Sequence, residues 1–106
     1  MDDECLMLHL KLSDRDFGTR EEQASIRAFL GQLEECVTAK NVGELDGDEF
    51  GGGECTLYFY GPDADRLFET VLGLLNTSPL SQGGYAIRQY DLTRELPDQR
   101  TAFPSR

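Results

Sequence analysis

The chain opens with a clean alternation. In "CLMLHLKL" (5–12), Leu6, Leu8, Leu10 and Leu12 fall on one side, and Met7, His9 and Lys11 on the other. Successive side chains of a strand point to opposite faces, so a period of two predicts a half-buried β-strand. After the turn-rich "SDRDFG" the period changes. Ile26, Phe29, Leu30, Leu33 and Val37 recur at three- and four-residue spacings, the single apolar stripe of an amphipathic helix. Thr19 with Glu22 three residues on forms a capping box for its start. Lys40, followed by Asn41 or Gly43, suits its end. "CTLYFYG" (55–61) returns to period two, with Cys55, Leu57 and Phe59 on one face and Glu54, Thr56, Tyr58 and Tyr60 on the other. "GPDADR" then opens a second helix, with Asp63 as N-cap, Asp65 in the first turn and Leu67, Phe68, Val71, Leu72 and Leu75 as its apolar face. "GGYAIRQYDL" (83–92) predicts a last strand, with Tyr85 and Ile87 inward and Arg88 and Tyr90 outward. Residues 93–106 read as a polar, proline-containing tail whose large apolar residues are Leu96 and Phe103.

Strand, helix, strand, strand, helix, strand is the order of a ferredoxin-like βαββαβ domain. The expected fold class is therefore α+β: a single two-layer sandwich over residues 1–92, both helices on one face of an antiparallel sheet of order 4-1-3-2. The length of 106 residues and an apolar content of 39% suffice for one such core.

In that topology residues 43–53 become the edge strand and its turn. "GELDGDEFGGGEC" (43–55) holds five carboxylates and five glycines. A phosphate cradle would lead glycines into a helix N-terminus, with a lysine; here they lead into a strand among acids. A calcium loop needs acids at alternate positions, glycine sixth and a carboxylate twelfth. Counting from Asp46, Gly51 is sixth, but Phe50 is fifth and Leu57 twelfth. The stretch therefore reads as an edge hairpin, bulged at Gly51, Gly52 and Gly53, whose acids discourage sheet extension and leave an edge that a basic protein could meet.

Charge narrows the classes further. The net charge is −10, with five acids and no base over residues 42–55. Phosphate backbones repel such a chain, so no nucleic-acid partner is expected. An RNA-recognition sheet would need aromatics on its first strand, where this chain has His9. No run of about 18 apolar residues exists to span a membrane, and "MDDECLML" lacks the start of a secretory signal; a cytoplasmic location is expected. Cys5, Cys36 and Cys55 are isolated and odd in number, which points to small buried hydrophobes and not to disulfides. Neither metal nor cofactor is expected.

A two-layer domain leaves one sheet face bare. The alternation places Met7, His9, Lys11, Glu54, Thr56, Tyr58, Tyr60, Arg88 and Tyr90 there. A tyrosine cluster on an open face usually meets something: the tail, a second copy or a partner. His9, the one histidine, has Glu54 within reach on the neighbouring strand, an alternative ligand site, but no catalytic motif accompanies it.

The run "GELDGDEFGGGECTLYFYGPDADRLFETV" resembles that of a family of small bacterial proteins without an established activity, which share a GE-DG-EFGGGE hairpin followed by YGPDADRLF. "LYFYGPDADRLF" is also similar to the family of the regulator of ribonuclease E activity B, protein inhibitors of that nuclease. That likeness implies an inhibitor or immunity-type binding protein. The expectation is thus a non-catalytic binding domain for a protein partner with a basic surface. Glu44, Asp46, Asp48, Glu49, Tyr58, Tyr60, Arg88 and Tyr90 form its surface, and the molecule is a monomer or a homodimer through the open face. The alternative is a dimeric α+β barrel enclosing a small-molecule or active site near His9 and Glu54.

Overall fold

In the computed structural model, which describes residues 3–103, the leucines of the first strand all enter one core. Leu6, Leu8 and Leu10 are fully buried on β1 (Glu4–Lys11), and Leu12 just beyond it is nearly so. They meet Ile26, Phe29, Leu30, Leu33 and Val37 of α1 (Arg20–Ala39) and Leu67, Phe68, Val71 and Leu75 of α2 (Ala64–Thr77). Burying each such side chain contributes about 1.5–3 kcal/mol, so this contact holds the two layers together. Both helices begin where their caps dictate. Thr19 and Glu22 make the reciprocal capping box, and the Asp63 carboxylate accepts from the Asp65 and Arg66 N–H groups.

The remaining strands are β2 (Glu44–Gly51), β3 (Glu54–Gly61), β4 (Gly84–Gln89) and β5 (Gln99–Phe103), with short 3-10 turns at Pro79–Ser81 and Leu92–Arg94. The sheet is antiparallel throughout. Gly52 and Gly53, both at positive φ, form the two-residue turn between β2 and β3, where left-handed backbone matches the twist of the strands. The bulge of β2 lies between Leu45 and Gly47, not at the glycine run. The "SDRDFG" loop straps the hairpin tip: Leu12 N–H donates to Gly53 O and Gly53 N–H to Asp16 O, both at 2.9 Å.

Two expectations need correction. The sheet is not the four-stranded 4-1-3-2 sheet of a ferredoxin-like βαββαβ domain; it has five strands in the order β2-β3-β1-β4-β5. The fifth comes from the tail, where Gln99–Phe103 pairs along β4 and buries Phe103. Residues 104–106 of that tail lie outside the described residues. The faces of β4 are also reversed. Ala86 pairs with the core residue Leu8 and Arg88 with Leu6, whereas Tyr85 pairs with His9 and Ile87 with Met7. Arg88 therefore lies on the helix side and Tyr85 and Ile87 on the open side. The cause is space. A Cβ on Gly84 would stand 2.6 Å from His9 O and from the Phe103 ring, so this inward position of β4 takes glycine, and the large apolar residues of the strand fall on the other side. One residue of offset moves a whole strand's side chains to the other face.

Candidate functional site

The register assembles the open face in rows. Gly47, Tyr58, Met7, Ile87 and Arg100 lie across the five strands in one row, and Glu49, Thr56, His9, Tyr85 and Ala102 in the next. Glu44, Tyr60 and Cys5 begin a third. Tyr58, Tyr60, Tyr85 and Ile87 are half-buried, and Cys5 and Thr56 are buried. Tyr58 and Tyr60 stand on the face as expected. Tyr85, expected in the core, belongs with them.

Three aromatic or cationic groups stack over β1, β4 and β5. The His9 and Tyr85 rings lie 4.5 Å apart at 11°, and the Arg100 guanidinium lies 3.9 Å above the Tyr85 ring on its own account. His9 Nδ1 is 3.2 Å from Thr56 Oγ1 and 3.5 Å from Glu54 Oε1, so the expected His9–Glu54 neighbourhood exists. His9 Nε2 is buried with no hydrogen-bond partner. Burial, then the negative charge of Glu54, pushes the Tyr85 hydroxyl pKa up, which keeps that phenol protonated at neutral pH.

Along β2, Glu44, Asp46, Asp48 and Glu49 are all exposed. Their pairing separates them. Glu44 and Glu49 sit opposite Tyr60 and Thr56 on the open side, and Asp48 opposite the core residue Leu57 on the helix side. Asp46 falls in the bulge. The acids thus line both flanks of one edge instead of converging on a point. Among the described residues, no three of His, Cys, Asp and Glu come together in a way that could hold a metal ion. A shallow cavity of about 410 Å³ opens at the start of this edge, between Asn41, Glu44, Tyr60 and Pro62; a second, of about 400 Å³, lies between α1 and Pro79. Neither is lined by His9.

Arg88 and Tyr90, expected on the partner surface, are engaged elsewhere. Arg88 Nη1 donates to Asp65 Oδ1 at 2.9 Å and Nη2 to Thr101 Oγ1 at 3.2 Å, with the guanidinium 5.0 Å from the Phe68 ring centroid. The Tyr90 hydroxyl donates to the same Asp65 oxygen at 2.6 Å. Together they fasten β4 and β5 to α2. Beside them sits a residue that the pattern did not single out. The Glu4 side chain is 1% exposed, and it accepts from Ala64 N–H, Asp91 N–H and Arg94 Nη1, each at 2.9 Å. Burial alone would raise its pKa, but the two backbone donors and the Arg94 charge outweigh it and hold the carboxyl below its ordinary value.

None of the three cysteines forms a disulfide. Burial raises the Cys5 thiol pKa and pushes that of Cys55 up to about 12, so neither supplies a thiolate nucleophile near neutral pH. No protein-family model, no curated protein sequence and no solved structure matches this chain.

Among the described residues no helix is long and apolar enough to cross a membrane.

Proposed function

We propose that the protein acts by association, as a non-catalytic cytoplasmic binding domain, an inhibitor or immunity-type regulator, for a partner with a basic surface. The observation that carries this reading is the adjacency of two features. A free sheet edge presents Glu44, Asp46, Asp48 and Glu49 to solvent, and the strand paired to it presents Tyr58 and Tyr60. Charges on an exposed rim steer encounter and raise the on-rate; aromatic anchors that become desolvated set the off-rate. Arg88 and Tyr90 leave this surface and Tyr85 joins it. The disulfide-free cysteines suit a reducing compartment.

Affinity capture from the native host supplies the partner, and surface plasmon resonance of variants tests the surface. Asp46→Asn with Glu49→Gln slows association and flattens its salt dependence, while Tyr58→Ala speeds dissociation at a cost of about 2 kcal/mol. A second reading, a site at His9 closed over by another sheet, draws support from the unpartnered His9 Nε2. It requires His9→Ala to abolish activity while the edge and tyrosine variants leave binding untouched, and that pattern would replace association with catalysis.

A further inference from the structure

The association surface described above raises the question of what covers it. In a chain whose residues are 28% charged, the open-side positions of the Met7 and His9 rows carry no carboxylate, lysine or arginine on the three central strands. Charge appears around them: Glu44 and Glu49 on β2, Arg100 on β5, and Lys11 opposite Glu54 in the row beyond His9. An uncharged, aromatic centre inside a charged rim is the anatomy of a protein interface. The described tail extends the sheet as β5 and so leaves the open face without a cover of its own strand. We propose that this face is covered by a second copy of the chain, and that the basic element meeting the acidic edge is the partner copy's own Arg100.

The strand order makes this self-complementary. β1 is central, with β3 and β2 on one side and β4 and β5 on the other. A twofold axis lying along β1 between two facing sheets sets β2 of one copy against β5 of the other, twice. Such an axis preserves position along the strand, so each row faces its own counterpart. Arg100 shares its row with Gly47. It would therefore descend on the one β2 position with no side chain, a glycine whose Cβ direction is open space, with Glu49 on one side and Glu44 and Asp46 on the other. Facing sheets pack within about 30° of alignment, which displaces these edges by about 5 Å at most and keeps Arg100 over the stretch between Glu44 and Glu49.

The size is sufficient. Five strands spaced about 4.8 Å apart and some seven residues long give a footprint of roughly 550 Å² per copy. Twice that clears the total of about 1,000 Å² expected of a biological interface. The charge of −10 on each copy opposes encounter, but that repulsion is screened beyond about 8 Å at physiological ionic strength, whereas the Arg100 contacts form at close range.

Because this inference rests on the association reading, the test separates the two. Sedimentation equilibrium of the full chain, from micromolar to high micromolar concentration, reports the dimer constant. Wild type is expected to dimerise. Ile87→Asp, which places a charge at the centre of the face, abolishes the dimer with far-UV dichroism unchanged. Arg100→Glu and Glu49→Arg each weaken it by on the order of tenfold, and the double exchange Arg100→Glu/Glu49→Arg restores it to within about threefold, since attraction across the rim is re-formed. A wild type that stays monomeric overturns the proposal, as does a dimer indifferent to Ile87→Asp. A dimer lost in Ile87→Asp but indifferent to Arg100→Glu overturns the β2-to-β5 arrangement. If the monomer still binds an oligo-arginine peptide, and Asp46→Asn/Glu49→Gln removes that binding, the occupant is foreign and the association reading survives. If neither dimer nor peptide binding is seen, both readings fall.

Discussion

At the scale of the residue, Glu4 is the position where local polarity and global fold meet. Its carboxylate satisfies the N–H of Ala64 at the start of α2, the N–H of Asp91 after β4 and the Arg94 guanidinium. A buried carboxylate with three donors is stable only while all three stay in place. Glu4→Gln keeps the shape but loses the charge and leaves part of the donor set unpaired. It is expected to cost about 2–3 kcal/mol, in the range for a charged hydrogen-bond partner. The folded pKa lies below the ordinary 4.5, so this carboxylate contributes stability above its unfolded pKa and loses it as pH falls through the depressed folded value. Urea unfolding of wild type and variant is therefore expected to show the full difference at neutral pH and a narrowing one below about pH 4. A gap that persists unchanged into acid would assign the effect to packing instead of charge. Nothing in the sequence marks Glu4: an acid at the edge of a leucine strand reads as a solvated end. Only the return of the chain after β4 brings it its partners.

At the scale of the element, legibility followed the leucines. β1, β3 and both helices bury long aliphatic side chains on one face, so alternation and the 3.6-residue stripe disclosed their faces from residues alone. β4 carries its large apolar residues outward. Gly84 has no room for a Cβ between His9 O and the Phe103 ring, Ala86 is fully buried, and Tyr85 and Ile87 face out, so the apolar pattern indicates the wrong side. The acidic edge and Tyr58 and Tyr60 were legible, because period two persists through β3; Arg88 and Tyr90 were misread with β4. β5 was hidden for a related reason. "QRTAF" is a polar edge strand with a single anchor, and its order derives from the neighbour it pairs with. That anchor supplies a test. Phe103 is 2% exposed, and Phe103→Ala is expected to cost about 3 kcal/mol, against about 2–5 kcal/mol for the fully buried Leu8→Ala and Phe59→Ala. Denaturant melts compare them directly. A loss below about 1 kcal/mol at Phe103 would return the segment to the status of a loose tail.

At the scale of the molecule, charge placement sets what ions do. The net charge of −10 loads the folded state with self-repulsion, much of it along β2, where no base interrupts residues 42–55. Screening should relieve it: the Debye length falls from about 30 Å at 0.01 M to about 8 Å at 0.15 M ionic strength, so stability is expected to rise with added sodium chloride over that interval. Calcium and magnesium should act in the same way and no further. A tight calcium site surrounds one ion with six to eight oxygens, whereas Glu44 and Glu49 stand on one side of β2 and Asp48 on the other. Strand geometry alternates these carboxylates away from one another, and pulling them onto a single ion would break the pairing with β3. Calorimetric titration with calcium, magnesium and zinc is therefore expected to give no saturable binding tighter than about millimolar, the weak end of protein calcium sites. Thermal melts at matched ionic strength should coincide for sodium and calcium. Micromolar binding removed by Asp46→Asn and Asp48→Asn would show that the edge rearranges around a metal, and that the acids serve coordination before they serve a partner.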